Sequence, residues 1–224
     1  MAIITFRLNE HLFVRDPQHT ELGQRIIQKS IDLIDQLGYE GFTFRKLADE
    51  LGSTEASIYR YFENKHRLLL YLISWYWCWM EYRIDLHTTR TADAKERLKA
   101  SLRVVAEKKV YDSNIEFVNE EKLHRIVVAE LDKTFLTKAV DEDNRDGLFG
   151  GFKTLCRKIA ACVEEINPRY PYPNALISTL LLAAHQQLFF ASHLPSLSNL
   201  QATEDRHETL YAFLESLALN SIMA

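Results

Sequence analysis

Apolar residues recur at every third or fourth position through most of this chain, and little interrupts them. Ile26, Ile27, Leu33, Ile34 and Leu37, with Ser30 among them, share one face of a helix. Phe44, Leu47, Ala48 and Leu51 repeat the pattern at i, i+3, i+4 and i+7. Only seven Gly and five Pro occur in 224 residues. Period-two alternation of β-branched residues is rare, so the pattern predicts an all-α protein. A hydrophobic content of 47% is enough for a sizeable core in one or two domains. No Gly- or Ser-rich linker separates them.

Two runs raise the question of a membrane. "LLLYLISWYWCWM" covers 68–80, and "ALISTLLLAA" covers 175–184 before His185-Gln186-Gln187 breaks it. Both fall short of the roughly 20 apolar residues of a spanning helix, so they read as buried helices and no membrane partner is expected. "MAIITFRLNEHLF" lacks the basic region, apolar core and small-residue cleavage site of an export signal. Cys78, Cys156 and Cys162 are odd in number and not in metal-ligand spacing, which fits a reducing cytoplasm. The formal net charge of −4 gives no global signal for nucleic acid, so any such case must rest on a local surface.

Asp16-Pro17 supplies a cap and a first-turn proline, and Gly38 a stop, for the first helix. Residues 1–15 either form an arm reaching a partner or pack back on the body. Thr43 caps a short helix that ends at Gly52-Ser53, and Thr54 caps another through Phe62. Asn64 caps a long helix to about His87. Further helices are expected at about 91–109, 116–138, 147–166, 174–193 and 203–221, about nine in all. The acidic stretch 141–147 reads as a solvated loop.

The helix from Thr54 is too short to stand alone, yet it carries Tyr59, Arg60, Tyr61 and Phe62. Ile58 and Phe62 point inward with Tyr59 beside them. The other side shows Glu55, Ala56, Ser57, Arg60 and Tyr61. Small residues at its start admit a close approach, and a cation and a phenol further along suit phosphate oxygens. Such a helix can put its first residues against base edges in a major groove, with Lys65 adding charge nearby. A plain helical hairpin with core aromatics would show the same spacing.

Gly38-Tyr39, Phe42-Thr43, Leu47-Ala48, Gly52, Thr54, "SIYRYF" (57–62) and Asn64-Lys65 follow one another in a specific order. Residues 22–68 thereby resemble the N-terminal domain of the TetR family of transcriptional repressors. The resemblance implies an N-terminal three-helix domain with a helix-turn-helix, a larger C-terminal helical bundle, and homodimerisation. It also implies that Arg45, Glu55, Ala56, Ser57 and Tyr59 face bases, while Thr43, Arg60, Tyr61 and Lys65 hold phosphates; Thr54 caps the reading helix. Chemistry agrees for several: Arg45 could fork onto guanine, Glu55 accept from cytosine and Ala56 touch a thymine methyl. Glu55 could equally serve only its own helix N-terminus. One departure is the charge balance. Residues 1–67 hold nine Lys/Arg and ten Asp/Glu, which predicts weak non-specific affinity.

The last two helices read as a pairing surface, because "NALISTLLLAAHQQLFFASHL" is apolar nearly all round and "LYAFLESLALNSIM" has a second apolar face. A monomeric core is the alternative. Trp75, Tyr76, Trp77, Trp79 and Tyr82 are either the wall of a ligand cavity or packing. Trp79 with Arg83, His124, His185 and Gln186 are the candidate ligand contacts. No nucleophile elbow, phosphate loop or metal-binding pair occurs, so no catalytic residue, metal or cofactor is assigned. The expectation is a two-part regulator, 1–66 for DNA and 67–224 for ligand and dimerisation. It would bind a double-stranded, pseudo-palindromic operator as a homodimer and be released by a small-molecule effector. The rivals are an all-helical sensor or interaction protein that has lost DNA binding, and a helical enzyme acting on a small molecule.

Overall fold

A computed structural model describes residues 4–112, 115, 117–200 and 205–223. The expected starts of two helices, 116 and 203, lie outside the described residues. In chain order the helices are α1 (Glu21–Gly41), α2 (Phe44–Leu51), α3 (Glu55–Tyr59), α4 (Lys65–Thr88), α5 (Ala94–Ala106), α6 (Glu120–Glu130), α7 (Asp132–Phe135), α8 (Val140–Arg145), α9 (Gly150–Ile166), α10 (Pro173–His193) and α11 (Arg206–Met223). Among the described residues the fold is all-α, with three 3-10 turns and no strand. Among the described residues eleven α-helices stand where about nine helices were expected. The predicted 116–138 helix stops at Glu130 and resumes as α7, and the acidic stretch forms α8 instead of a loop.

Contacts divide the chain into two compact units, Met1–Trp77 with Lys109–Gly151, and Cys78–Lys108 with Phe152–Ala224. This partition differs from the division expected at residue 66. In the first unit, α1 begins later than Asp16-Pro17 suggests. Asp16 Oδ1 accepts from Gln18 N at 2.9 Å and caps a 3-10 turn, Pro17–His19. Thr20 Oγ1 then caps α1 by accepting from Gly23 N at 3.1 Å. Gly38, at φ 69°, breaks the helical path where a stop was expected.

α6 lies along α1. Lys122 Nζ reaches Asp32 at 2.6 Å, Arg125 grips both Asp35 oxygens at 2.8 Å, and Glu130 Oε1 accepts from Tyr39 N at 2.9 Å. The exposed pairs contribute little, about 0–1 kcal/mol each. The core carries the stability: Ile26, Ile27, Leu47, Ile58 and Phe62 are wholly buried, each contributing about 1.5–3 kcal/mol.

Residues 4–15 pack back on this unit, which decides between the two alternatives for that segment. Gln18 clamps Phe6, donating from Nε2 to its carbonyl at 2.9 Å and accepting its amide at Oε1 at 3.3 Å. The Phe6 ring meets Trp75 edge-on at 5.2 Å, and Leu12 is buried.

In the second unit α5 packs on α11, and α10 touches both. Leu98, Leu180, Leu210, Leu214 and Ile222 fill the interior. His207 Nδ1 lies 2.8 Å from the Ala106 carbonyl, and Asn167 Nδ2 donates to the Ile222 carbonyl at 2.8 Å. With 21 residues and a mean hydropathy of 1.3, α10 is long and apolar enough to cross a bilayer, beyond the ten-residue run counted above. Its Leu176, Ile177, Leu180, Leu181 and Ala184 are buried, as in a bundle helix.

Candidate nucleic-acid interface

Local chemistry builds α2 and α3. Thr43 accepts from Lys46 N at 3.2 Å to start α2, which buries Phe44, Leu47, Ala48 and Leu51. Gly52 ends it at φ 60°, ψ 39°, a left-handed conformation that costs a residue with a Cβ roughly 1–2 kcal/mol. Thr54 Oγ1 then accepts from Ser57 N at 3.3 Å and lies 3.0 Å from Ser57 Oγ. α3 itself has five residues, shorter than the Thr54–Phe62 span expected; Tyr61 N and Phe62 N both turn back to the Ile58 carbonyl. Such a stub is held by tertiary contacts. Ile58 and Phe62 are fully buried, and the Phe62 ring meets Tyr71 at 5.3 Å.

The outward surface is open. Thr43, Arg45, Thr54, Glu55, Ala56 and Arg60 are exposed, and Ser57 is half-buried. Tyr59 is not an inward residue: it stays 48% exposed while its ring edge rests on Phe44 at 5.1 Å. Among the described residues neither Arg45 nor Arg60 has an ion-pair partner. Lys46, a cation not assigned a role from sequence, is exposed and donates to the Gly41 carbonyl at 2.7 Å. Asp49 and Glu50 are exposed as well.

Two expected phosphate contacts sit differently. Tyr61 is only 3% exposed; its hydroxyl is 2.8 Å from Thr20 Oγ1 and Arg15 lies over its ring, so it does not belong to the open face. Lys65 is half-buried, its amino group 4.4 Å from the Tyr39 ring centre and donating to the Tyr39 carbonyl at 3.3 Å. Tyr39 is pushed up to about 12, by burial and then by the Glu40 carboxylate, with Lys133 opposing.

Comparison with known sequences falls on the same capped pair of short helices. Residues 26–72 match the family model described as "Bacterial regulatory proteins, tetR family". The matched segment is the helix-turn-helix unit, α2 and α3 with the helices on either side. A 44-residue stretch is 41% identical to the tetracycline repressor protein class A from transposon 1721 of Escherichia coli. That match spans 20% of this chain and 20% of the repressor's length. Over nearly the whole chain the fold is similar to solved structures at low identity. AibR in complex with isovaleryl coenzyme A and operator DNA is 17% identical, with a TM-score of 0.58, over 87% of this chain and 97% of that one. The fatty acid degradation regulator FadR from Bacillus halodurans is 16% identical, with a TM-score of 0.59, over 88% and 93%. The ketosteroid transcriptional regulator KstR2 of Mycobacterium tuberculosis is 13% identical, with a TM-score of 0.54, over 92% and 98%.

Beyond the matched segment, the five candidate ligand contacts are not brought together within either unit. In the second, Arg83 lies 5.2 Å from the Trp79 ring centre and pairs with Glu107 at 2.9 Å. His185 is buried with Nδ1 2.8 Å from its own helix's Leu181 carbonyl, and Gln186 is exposed. His124 belongs to the first unit, where Nδ1 is 2.9 Å from the Tyr76 hydroxyl. A cavity of about 690 Å3 that the sequence did not suggest lies along the N-terminal segment, lined by Phe6, Arg7, Phe13 and Gln18 among others.

The largest omission is Asp143. Read as part of a solvated loop, it is 3% exposed, with Oδ2 3.0 Å from His66 Nε2 and Oδ1 3.1 Å from Arg67 Nη1. Asp143 is the buried member, and its two part-exposed partners share its charge, so losing either leaves the other in place. A signal was present in the sequence: Lys65, His66 and Arg67 in the first turn of α4 oppose the helix dipole and call for an acid.

Proposed function

We propose that the chain is a transcriptional regulator, most simply a repressor, acting as a cytoplasmic homodimer on a pseudo-palindromic operator. The observation that carries this reading is the accessible front of α3: Ala56 is exposed and Ser57 half-exposed, with the exposed Arg45, Tyr59 and Arg60 on the same two short helices and the residue after them. In this reading Arg45, Glu55, Ala56, Ser57 and Tyr59 meet base edges. Thr43, Arg60 and Lys46 hold phosphates, joined by Lys65 once it leaves the Tyr39 carbonyl. A single reading helix spans few base pairs, so two copies gripping half-sites about one turn apart are required. Residues 67–224 would supply both the pairing surface and the effector site. On α11, Ala212, Phe213, Ser216, Leu217 and Asn220 form an exposed stripe of small and apolar residues suited to a second copy. The operator complex and coenzyme A thioester of AibR support a DNA site and a small-molecule effector here.

A second reading, a sensor or interaction protein without DNA binding, is favoured by one observation. Asp49, Glu50 and Glu55 are exposed beside the reading face and offset its cations. Selection from random duplexes at about 50 mM salt separates the two. The regulator reading expects enrichment of an inverted repeat that is lost on scrambling one half. Absence of any sequence preference would establish the second reading.

A further inference from the structure

The reading helix is followed at once by two anchors that converge on one short stretch of chain. On one side, the first turn of α4 is gripped directly: Asp143 pairs with His66 and Arg67, and Asp146 Oδ2 is 3.5 Å from Arg67 Nη2. On the other side, Val14 N donates to the Tyr61 carbonyl at 2.8 Å, and the same N-terminal segment reaches Asp146 through Asn9 Nδ2, which donates to its carbonyl at 2.8 Å. Asp143–Gly147 thus holds the exit of α3 from both faces, once through α4 and once through residues 9–14.

The geometry of that stretch is specific. Gly147 has φ 76°, and a Cβ there would stand 2.9 Å from Asn9 Nδ2, so a side chain would both strain the backbone and push out the asparagine. Leu148 N returns to the Asp143 carbonyl at 3.0 Å, and Ser74 Oγ donates to the Leu148 carbonyl at 3.1 Å, fixing the bracket on α4 a second time.

We infer that Asp143, with Asn9 and Gly147, is a positioning element for base readout: it sets the pose of α3 without touching nucleic acid. The inference rests on the DNA-binding reading above. In it the N-terminal segment acts as an inner brace and not as an arm laid in a groove. Phosphate contacts tolerate small changes of helix pose, whereas base-edge hydrogen bonds do not. Opening the bracket therefore lowers discrimination between operator and random DNA more than it lowers affinity for random DNA.

The test uses the full chain and its selected duplex, with Asp143→Asn, Gly147→Ala and the milder Asn9→Ala. Hydrogen exchange reports the bracket without DNA: amides of residues 9–14 and 60–67 should lose protection together in each variant. On DNA, the ratio of operator to random affinity should fall about fivefold, with the random-duplex affinity within about twofold of the parent. Leu98→Ala, a core change in the second unit, serves as a control of matched instability and should leave the ratio unchanged. Unchanged exchange in both segments would remove the bracket. Loss of protection with an intact ratio, or an equal fall in the control, would remove the positioning role. A parent chain that prefers no sequence would instead end the DNA-binding reading, and the readout role with it.

Discussion

Arg45 and Arg60 are both exposed cations, yet their chemistry separates them. Arg45 stands in the first turn of α2 and Arg60 just past α3, beside the half-exposed Tyr59. A planar guanidinium can fork onto guanine, and a phenol edge can lie on a base, so Arg45→Ala and Tyr59→Ala should each relax preference at particular base pairs by about 1–3 kcal/mol. Arg60→Ala should weaken all duplexes alike and lower the salt slope by about one. Fluorescence-anisotropy titrations over a salt series on single-base operator variants read both quantities. Equal losses on every sequence for all three would remove the division into readers and grips. At this scale the sequence was informative for side chains whose role is local, such as the caps Thr43 and Thr54. It misplaced Tyr61, because helical spacing cannot show that a phenol one turn past Ile58 finds a hydroxyl at Thr20.

Among the elements, α3 shows how little of a helix is needed when its neighbours fix it. Thr54 supplies the cap, Ile58 and Phe62 the anchorage, and Gly52 the turn that brings them into place. Nothing lies within 4 Å of a Cβ built on Gly52, so Gly52→Ala has no clash to relieve and tests the left-handed backbone alone. It should cost roughly 1–2 kcal/mol in urea unfolding, with Gly52→Asn closer to the parent. A cost near zero would mean the turn rearranges. The helix-turn-helix was legible because each of its signals is a cap, a glycine or a period contained in a few residues. The start of α1 was misread for a related reason: Asp16-Pro17 is a genuine cap, but of a 3-10 turn, and the second cap at Thr20 takes over. α8 was not legible, because Asp143 is held by His66 and Arg67, 77 residues away in the chain for the histidine. The ligand candidates fare likewise. Trp79 and Arg83 meet because they are one helical turn apart, while His124 and His185 satisfy partners that no spacing rule connects to them.

For the whole molecule, burial of ionisable groups in both units predicts sensitivity to alkali. Cys156 is pushed up to about 12 by burial, Cys78 to about 11 by burial and then by Glu81, and Tyr39 to about 12. Each folded value lies above that of the unfolded chain, so the folded state holds these protons more tightly. Their stabilisation is complete below about pH 9 and is lost as pH climbs through 11 to 12. Thermal midpoints should be flat in this respect up to about pH 9 and then fall, with Cys156→Ser making the fall shallower. An unchanged slope in that variant would show that the thiol ionises freely. The Thr20 hydroxyl carries a different kind of consequence. It caps α1 through Gly23 and meets the Tyr61 hydroxyl 41 residues away, so the two positions form one mutational unit. A lineage that exchanges Tyr61 for phenylalanine loses the reason to keep a hydroxyl, instead of an amide or carboxylate, at position 20. Among descendants of this sequence the two sites should drift as a pair.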